Sequence, residues 1–233
     1  MSSRHAVYVF VPNLIGYLRI ATAVWAFWIA RTDPMLTLGL YITSFVLDAA
    51  DGMAARALDQ CSRFGAILDM IIDRAATSAF LVMVVAVGGP QFAFPVALTI
   101  GLDIVSHFAR MYTQSVLGAS SHKDTSTCHY WFLSKYYSSR TFMGTFCVGQ
   151  EGFYLWLYWA LFQPELAAPL KQFDVLAVPE PQKFFGLALL ALWAGKQLAN
   201  VQQLLDAMQH LADVDVKDRA AAKAKVGAKG EKK

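Results

Sequence analysis

Four aspartates form two pairs with helical spacing in the N-terminal part of the chain. Asp48 and Asp51 are three residues apart, and Asp69 and Asp73 are four apart. Residues three or four apart lie on one face of an α-helix, so each pair forms one stripe. If the two helices pack as a hairpin, four carboxylates converge on one site.

Carboxylates in this arrangement are suited to binding divalent cations. Four unpaired negative charges in a partly buried pocket would repel each other or take up protons. Divalent cations remove this repulsion, and an all-oxygen donor set suits Mg²⁺ or Mn²⁺. Gly52, Ala55 and Gly65 lie on the same stripes, and their small size lets a substrate approach the backbone. The alternative is that the carboxylates line a pore or pair with Arg56 and Arg74.

The helices that carry these residues belong to a membrane protein. Of the 233 residues, 56% are hydrophobic and 16% are charged, and the mean hydropathy is +0.40, which excludes an ordinary soluble protein. The apolar residues fall into blocks of about 20, the length that crosses a bilayer. We predict an all-α fold with six transmembrane helices, at Asn13–Ala30, Leu36–Ala55, Phe64–Val87, Phe92–Tyr112, Thr141–Phe162 and Phe184–Met208.

Polar segments between the spans define the domain organisation. A polar loop, Thr113–Arg140, joins spans four and five, and Gln163–Lys183 joins spans five and six. Residues 1–212 are predicted to form one transmembrane catalytic domain. Residues 213–233 are predicted to form a basic cytosolic tail, as a fraying helix or a disordered segment.

The distribution of basic residues predicts the orientation in the membrane. An even number of spans places both termini on one side. That side holds most of the lysines and arginines outside the spans, whereas the opposite side holds only Arg31, Lys171 and Lys183. We therefore expect both termini, and the loop between spans two and three with the active site, to face the cytosol.

The segment Asp48–Asp73 resembles the signature of the CDP-alcohol phosphotransferase family, D-x2-D-G-x2-A-R-x8-G-x3-D-x3-D. The chain matches all eight fixed positions, which are Asp48, Asp51, Gly52, Ala55, Arg56, Gly65, Asp69 and Asp73. Chance agreement at eight specified positions is negligible. The resemblance implies a homodimer of six-helix subunits that transfers a phosphatidyl group from a CDP-activated lipid to a small alcohol.

Further segments resemble the eukaryotic branch of this family that uses myo-inositol as the acceptor. These segments are Val11–Ile20, Ala55–Met70, Leu102–His107, Ser121–Lys123 and Tyr136–Arg140. The likeness implies an enzyme of the endoplasmic reticulum membrane that converts CDP-diacylglycerol and myo-inositol to phosphatidylinositol and CMP. It implies contact with membrane lipid and no nucleic-acid partner.

The resemblance also assigns roles to the residues of the motif. The expected ligands of two Mg²⁺ or Mn²⁺ ions are Asp48, Asp51, Asp69 and Asp73. Asp73 is also the expected general base for the inositol hydroxyl. The residues expected to bind CDP-diacylglycerol are Gly52, Ala55, Arg56 and Gly65. For Arg56, the alternative is a surface charge at a helix end.

The acceptor pocket is predicted from polar residues outside the motif. An uncharged polyol needs several hydrogen-bond partners, and the candidates are Arg140, Asp103, His107 and Glu151. Their alternative role is hydrogen bonding between helices. The same two interpretations apply to Asn13 and Arg19, near the start of the first span.

Two other functions fit part of the pattern. A cation-coupled transporter would also use intramembrane carboxylates, but it predicts polar residues through the full depth of the membrane, whereas here they cluster at one end. Within the family, the acceptor could be glycerol 3-phosphate, serine, choline or ethanolamine. A phosphorylated acceptor would require additional cations in the pocket.

Overall fold

The structure of the chain is a computed structural model that describes residues 4–117 and 128–230. Across these residues it is helical and contains no strand, so the predicted all-α fold is confirmed. The α-helices are α1 (Arg4–Tyr8), α2 (Val11–Ile29), α3 (Pro34–Ala57), α4 (Arg63–Gly88), α5 (Ala93–Leu117), α6 (Trp131–Ser138), α7 (Arg140–Ala160), α8 (Pro164–Lys171) and α9 (Gln182–Gly230). The segment Ser121–Lys123 lies outside the described residues.

Six of these helices cover the six predicted spans: α2, α3, α4, α5, α7 and α9. Their ends lie within two residues of the predicted ends, except that α5 continues five residues past Tyr112 and α9 continues well past Met208. Within the described ranges, three helical segments are long and apolar enough to cross a membrane: Arg63–Gly88, Pro90–Leu117 and Gln182–Lys223. Large apolar side chains such as Trp28, Phe94 and Phe108 point outward, as lipid-facing residues do. The chain is therefore an integral membrane protein.

Local signals set the ends of the helices that carry the aspartates. The Asp33 carboxylate caps α3 by accepting a hydrogen bond from Leu36 N at 3.0 Å, and Ser62 Oγ caps α4 by accepting one from Gly65 N at 3.0 Å. Between these helices, Asp59 has a φ of 51°, a left-handed conformation that aspartate tolerates better than most residues. The chain therefore reverses direction within a few residues.

Helix α2 is the neighbour that packs closely against both α3 and α4. Ser44 Oγ of α3 donates a hydrogen bond to Arg19 O of α2 at 3.1 Å. Gly16 lets α2 approach α4, because a Cβ at this position would lie 3.2 Å from Ile72 Cδ1. The carboxylates of α3 and α4 therefore meet around a third helix, and not in a simple two-helix hairpin.

The chain divides into two compact units, each with its own buried residues. The first unit comprises Met1–Ile100 and Gly149–Ala191, and the second comprises Gly101–Val148 and Leu192–Lys233. In the first, Phe80 stacks on Tyr41 with ring centroids 4.3 Å apart and packs against Tyr158. In the second, the core contains Phe132, Leu133, Tyr136 and Ala199.

Helix α6 lies in the segment where the sequence analysis expected a polar loop. Phe132, Leu133 and Tyr136 are spaced to share one helix face, and all three are buried. The helix has only eight residues, so its apolar face is too short to stand out in the sequence. Helix α9 continues through the predicted tail as far as Gly230, and the domain boundary at residue 212 stays a prediction.

Candidate active site

Arg19 of α2 lies at the centre of the four aspartates. Its Nη2 is 2.7 Å from Asp48 Oδ1 and also pairs with Asp73 Oδ1. Its Nη1 is 2.8 Å from Asp51 Oδ2 and 2.9 Å from Asp69 Oδ1. The structure thus brings together all four carboxylates of the motif, and one guanidinium bridges α3 and α4 through them.

Because Arg19 is buried, its guanidinium depends on the carboxylates around it. The Arg19 side chain is 4% exposed, whereas the side chain of Asp69 is 46% exposed. A buried guanidinium must be paired with anions, because removing it from water without compensation is expensive. Arg74 adds a second cation, with its Nη2 3.6 Å from Asp73 Oδ2. Two formal positive charges thus meet four carboxylates, so the formal charge of the cluster is negative.

Three of the carboxylates fit a hard divalent cation. Oxygens of Asp48, Asp51 and Asp69 all lie within 4.8 Å of one another. Their all-oxygen chemistry matches Mg²⁺ or Mn²⁺. Asp73 is not part of this group of three, but it shares the Arg19 guanidinium with them.

A cavity of about 170 Å³ opens beside the aspartates. Its walls come from the start of α2, the end of α3, the turn that follows and the start of α4. The lining residues are Pro12, Asn13, Gly16, Asp51, Gly52, Ala55, Gln60, Cys61, Ser62, Gly65, Ala66, Leu68, Asp69 and Ile72. Three of the residues predicted to bind CDP-diacylglycerol, Gly52, Ala55 and Gly65, are among them.

A side chain at Gly65 would be crowded. A Cβ at this position would lie 3.0 Å from Asn13 Oδ1 and 3.1 Å from Ser62 Oγ. Asn13 is buried, and its Nδ2 donates a hydrogen bond to Val7 O at 2.6 Å. A larger residue would therefore push against a side chain fixed from the other side. Glycine keeps the cavity open where α2 and α4 approach each other.

Arg56 lies next to the cavity without being part of its lining. A Cβ built on Gly52 would be 3.5 Å from Arg56 Nη1, so the guanidinium lies over the glycine. Gly52 therefore brings the backbone and a cation to the same edge of the cavity.

The predicted acceptor residues belong to different units. Glu151 of α7 is buried in the first unit, where Tyr41 Oη donates to its Oε2 at 2.9 Å and Thr77 Oγ1 donates to its Oε1 at 3.0 Å. Each of its two carboxylate oxygens therefore already accepts a hydrogen bond from within the protein. Arg140 is exposed at the start of α7, in the second unit.

Asp103 and His107 lie one turn apart on α5, also in the second unit. His107 Nδ1 is 2.8 Å from Asp103 O, and Asn200 Nδ2 of α9 donates to Asp103 Oδ1 at 3.3 Å. Asp103 thus links α5 to α9. A role of Asp103, His107, Glu151 or Arg140 in binding the acceptor stays a prediction.

The sequence analysis left Asn13 and Arg19 open between acceptor binding and hydrogen bonding between helices, and it did not link either residue to the aspartates. An arginine within an apolar span is a functional candidate by default, because a charge at that depth needs a partner. This signal could have linked Arg19 to the aspartates, but it could not show that the guanidinium contacts all four. Asn13 gives a weaker signal, because a buried asparagine is often only a link between helices.

The sequence of the chain is similar to a known protein family and to proteins of known name. The sequence model of the CDP-alcohol phosphatidyltransferase family matches residues 9–162. The chain is 38% identical over 225 residues to the CDP-diacylglycerol–inositol 3-phosphatidyltransferase of Schizosaccharomyces pombe, covering 93% of this chain and 94% of the relative. It is 37% identical over 220 residues to the Homo sapiens protein of that name, covering 93% and 98%. No solved structure matches the chain at a significant level.

Proposed function

The chain belongs to the CDP-alcohol phosphatidyltransferase family, and we propose that it transfers the phosphatidyl group of CDP-diacylglycerol to myo-inositol, giving phosphatidylinositol and CMP. The observation that carries this proposal is the convergence of Asp48, Asp51, Asp69 and Asp73 beside an open cavity. The extensive likeness to relatives named for this reaction supports inositol as the acceptor.

The donor is proposed to bind in the cavity between α2, α3 and α4. Gly52, Ala55 and Gly65 let the nucleotide lie close to the backbone. Ser62, Gly65 and Ala66 at the start of α4 line the same cavity, and the positive end of the helix dipole favours a phosphate there. Arg56, beside Gly52, supplies a guanidinium for a phosphate oxygen. The two acyl chains would extend between helices into the bilayer.

The metal ions are assigned to the carboxylates closest to one another. Asp48, Asp51 and Asp69 would hold Mg²⁺ or Mn²⁺, two ions on the family pattern, and Asp73 would be a further ligand. When bound, these ions neutralise the diphosphate and stabilise the departing CMP, so no general acid is needed at the leaving group. Arg19 holds the same carboxylates in position on α3 and α4.

Asp73 is the proposed general base. It lies one helical turn deeper than Asp69, and Arg19 and Arg74 orient its two oxygens. An inositol oxygen forms a bond to the lipid-proximal phosphorus while the bond from that phosphorus to CMP breaks. The hydroxyl proton passes to Asp73. Arg140, Asp103, His107 and Glu151 are the proposed acceptor-binding residues.

The proposed topology has six transmembrane helices. Helices α2, α3 and α7 contain 19, 24 and 21 residues. At 1.5 Å per residue their lengths are about 28–36 Å, comparable with the roughly 30 Å thickness of the hydrocarbon core. Their mean hydropathy is reduced by residues such as Arg19, Asp51 and Glu151, which contact other polar groups inside the protein. We further propose a homodimer in the endoplasmic reticulum membrane, with both termini and the active site facing the cytosol.

The proposal is tested by acceptor incorporation. Purified protein with CDP-diacylglycerol and Mg²⁺ should incorporate radiolabelled inositol into lipid and release CMP. It should do so with inositol in preference to glycerol 3-phosphate, serine, choline or ethanolamine. Asp51→Asn should abolish turnover, and chelation should do so reversibly. Preference for another acceptor would change the assigned substrate, while cation flux in liposomes without CMP release would favour a transporter.

A further inference from the structure

A second cluster of metal-ligand side chains lies in the second unit. It consists of His129, which precedes α6, and of Asp206 and His210 on α9. One ligand atom from each residue lies within 4.8 Å of the other two. None of the three has a role in the proposed transfer reaction, so the cluster requires a separate explanation.

The distances in this cluster resemble those of metal coordination. His129 Nδ1 is 3.1 Å from Asp206 Oδ1, and His210 Nε2 is 3.6 Å from Asp206 Oδ2. In a tetrahedral zinc site with ligands about 2.0–2.2 Å from the metal, neighbouring donor atoms are about 3.3–3.6 Å apart. The two imidazoles approach different oxygens of Asp206, so binding one ion would require the three ligand atoms, which lie within 4.8 Å of one another, to move closer together.

The surrounding residues hold the carboxylate in place. Asp206 is 1% exposed, and its Oδ1 accepts a hydrogen bond from the backbone N of His129 at 3.0 Å. Arg110 Nη1 donates to Asp206 Oδ2 at 3.2 Å, and the Arg110 guanidinium lies 5.1 Å from the centroid of the Tyr137 ring. Metal-bound carboxylates commonly accept hydrogen bonds of this kind, which fix their orientation.

Two of the three residues lie on one helix face, and the third is exposed to solvent. Asp206 and His210 are four residues apart on α9 and therefore share one face of the helix. The side chain of His129 is 42% exposed, so an ion can reach the cluster from solvent.

We propose that His129, Asp206 and His210 form a second metal site, selective for Zn²⁺ or a similar transition-metal ion. Two imidazoles and one carboxylate favour such ions over Mg²⁺, whereas the aspartates of the first unit offer only oxygen. A bound ion would join the segment before α6 to α9, and water would complete its coordination. This site is independent of the proposed transfer reaction. The competing explanation is a hydrogen-bonded ion pair in which Arg110 alone balances Asp206.

Cobalt is a suitable probe because tetrahedral Co²⁺ absorbs visible light much more strongly than octahedral Co²⁺. Full-length protein in detergent, stripped with a chelator, would be titrated with Co²⁺ alone. Wild type and Asp51→Asn should both develop the strong band, because the aspartate motif is not its source. His129→Gln and His210→Gln each remove a ligand and should therefore weaken Co²⁺ binding. The loss should exceed the roughly 10- to 100-fold that is typical when only a group supporting a ligand is removed.

His5→Gln is the matched control, since it removes an exposed histidine of α1 in the first unit, and it should keep the band. His129→Gln tests the site without changing the pair of Arg110 and Asp206, so its helical content, measured by circular dichroism, should equal that of wild type. The proposal is overturned if wild type develops no strong band, or if His129→Gln and His210→Gln bind Co²⁺ as His5→Gln does.

Discussion

Replacing Arg19 with glutamine removes the cation at the centre of the aspartate cluster. Arg19 is 4% exposed and its partner Asp51 is 11% exposed, so this pair is buried. Breaking a buried pair by removing one partner typically costs about 3–5 kcal/mol. The other three aspartates are 31–46% exposed, and partly exposed pairs contribute only about 0.2–1 kcal/mol each. We therefore expect a loss of about 3–5 kcal/mol in the metal-free protein, most of it from Asp51.

The assay is the free energy of unfolding in detergent micelles, measured with a chelator and again with excess Mg²⁺. Mg²⁺ should recover more stability in Arg19→Gln than in wild type, because the guanidinium no longer offsets the repulsion among the carboxylates. Arg19→Lys should be intermediate, since an ammonium group is a point charge and cannot bridge four carboxylates as a planar guanidinium does.

Arg31→Gln is the matched control, because Arg31 is exposed just after the end of α2. Its stability should stay within about 0.5 kcal/mol of wild type. If Arg19→Gln were as stable as Arg31→Gln in chelator, Arg19 would not be the counter-ion of the cluster. The same Mg²⁺ dependence in Arg19→Gln and wild type would refute the reasoning as well.

Three further substitutions test separate parts of the site. Gly65→Ala places a Cβ 3.0 Å from Asn13 Oδ1, so it should raise the KM for CDP-diacylglycerol and leave the KM for inositol unchanged. If the KM for CDP-diacylglycerol were equal in variant and wild type, Gly65 would not belong to the donor cavity. Asp73→Asn should lower kcat by about 10²–10⁴-fold while CDP-diacylglycerol still binds with metal, as measured by equilibrium binding; near-normal kcat would exclude Asp73 as the base. Glu151→Gln leaves the Tyr41 or Thr77 hydroxyl without its hydrogen-bond acceptor, so it should reduce the free energy of unfolding by about 1–3 kcal/mol. A raised KM for inositol at unchanged stability would instead support a role of Glu151 in binding inositol.

Much of the fold could be predicted because its signals are local. Helical period and apolar block length located the six long helices, apart from the C-terminal ends of α5 and α9, since both signals depend on neighbouring positions in the chain. Helix α6 was missed because three apolar residues on one short face cannot be distinguished from an ordinary loop. The packing of α2 against both α3 and α4 could not be predicted, because it depends on the close fit at Gly16 and on the hydrogen bond from Ser44.

The sequence by itself determined the chemistry of the aspartate motif. Spacings of three and four residues place Asp48 with Asp51, and Asp69 with Asp73, on single helix faces, because a helix turns by a fixed angle at each residue. The tertiary structure decided what these carboxylates meet. Arg19 lies about 30 residues before Asp48 in the chain, and only the packing of α2 brings its guanidinium among the four carboxylates. In the same way, Glu151 contacts Tyr41 and Thr77 only because three helices meet, since contacts between distant segments depend on how helix surfaces fit together.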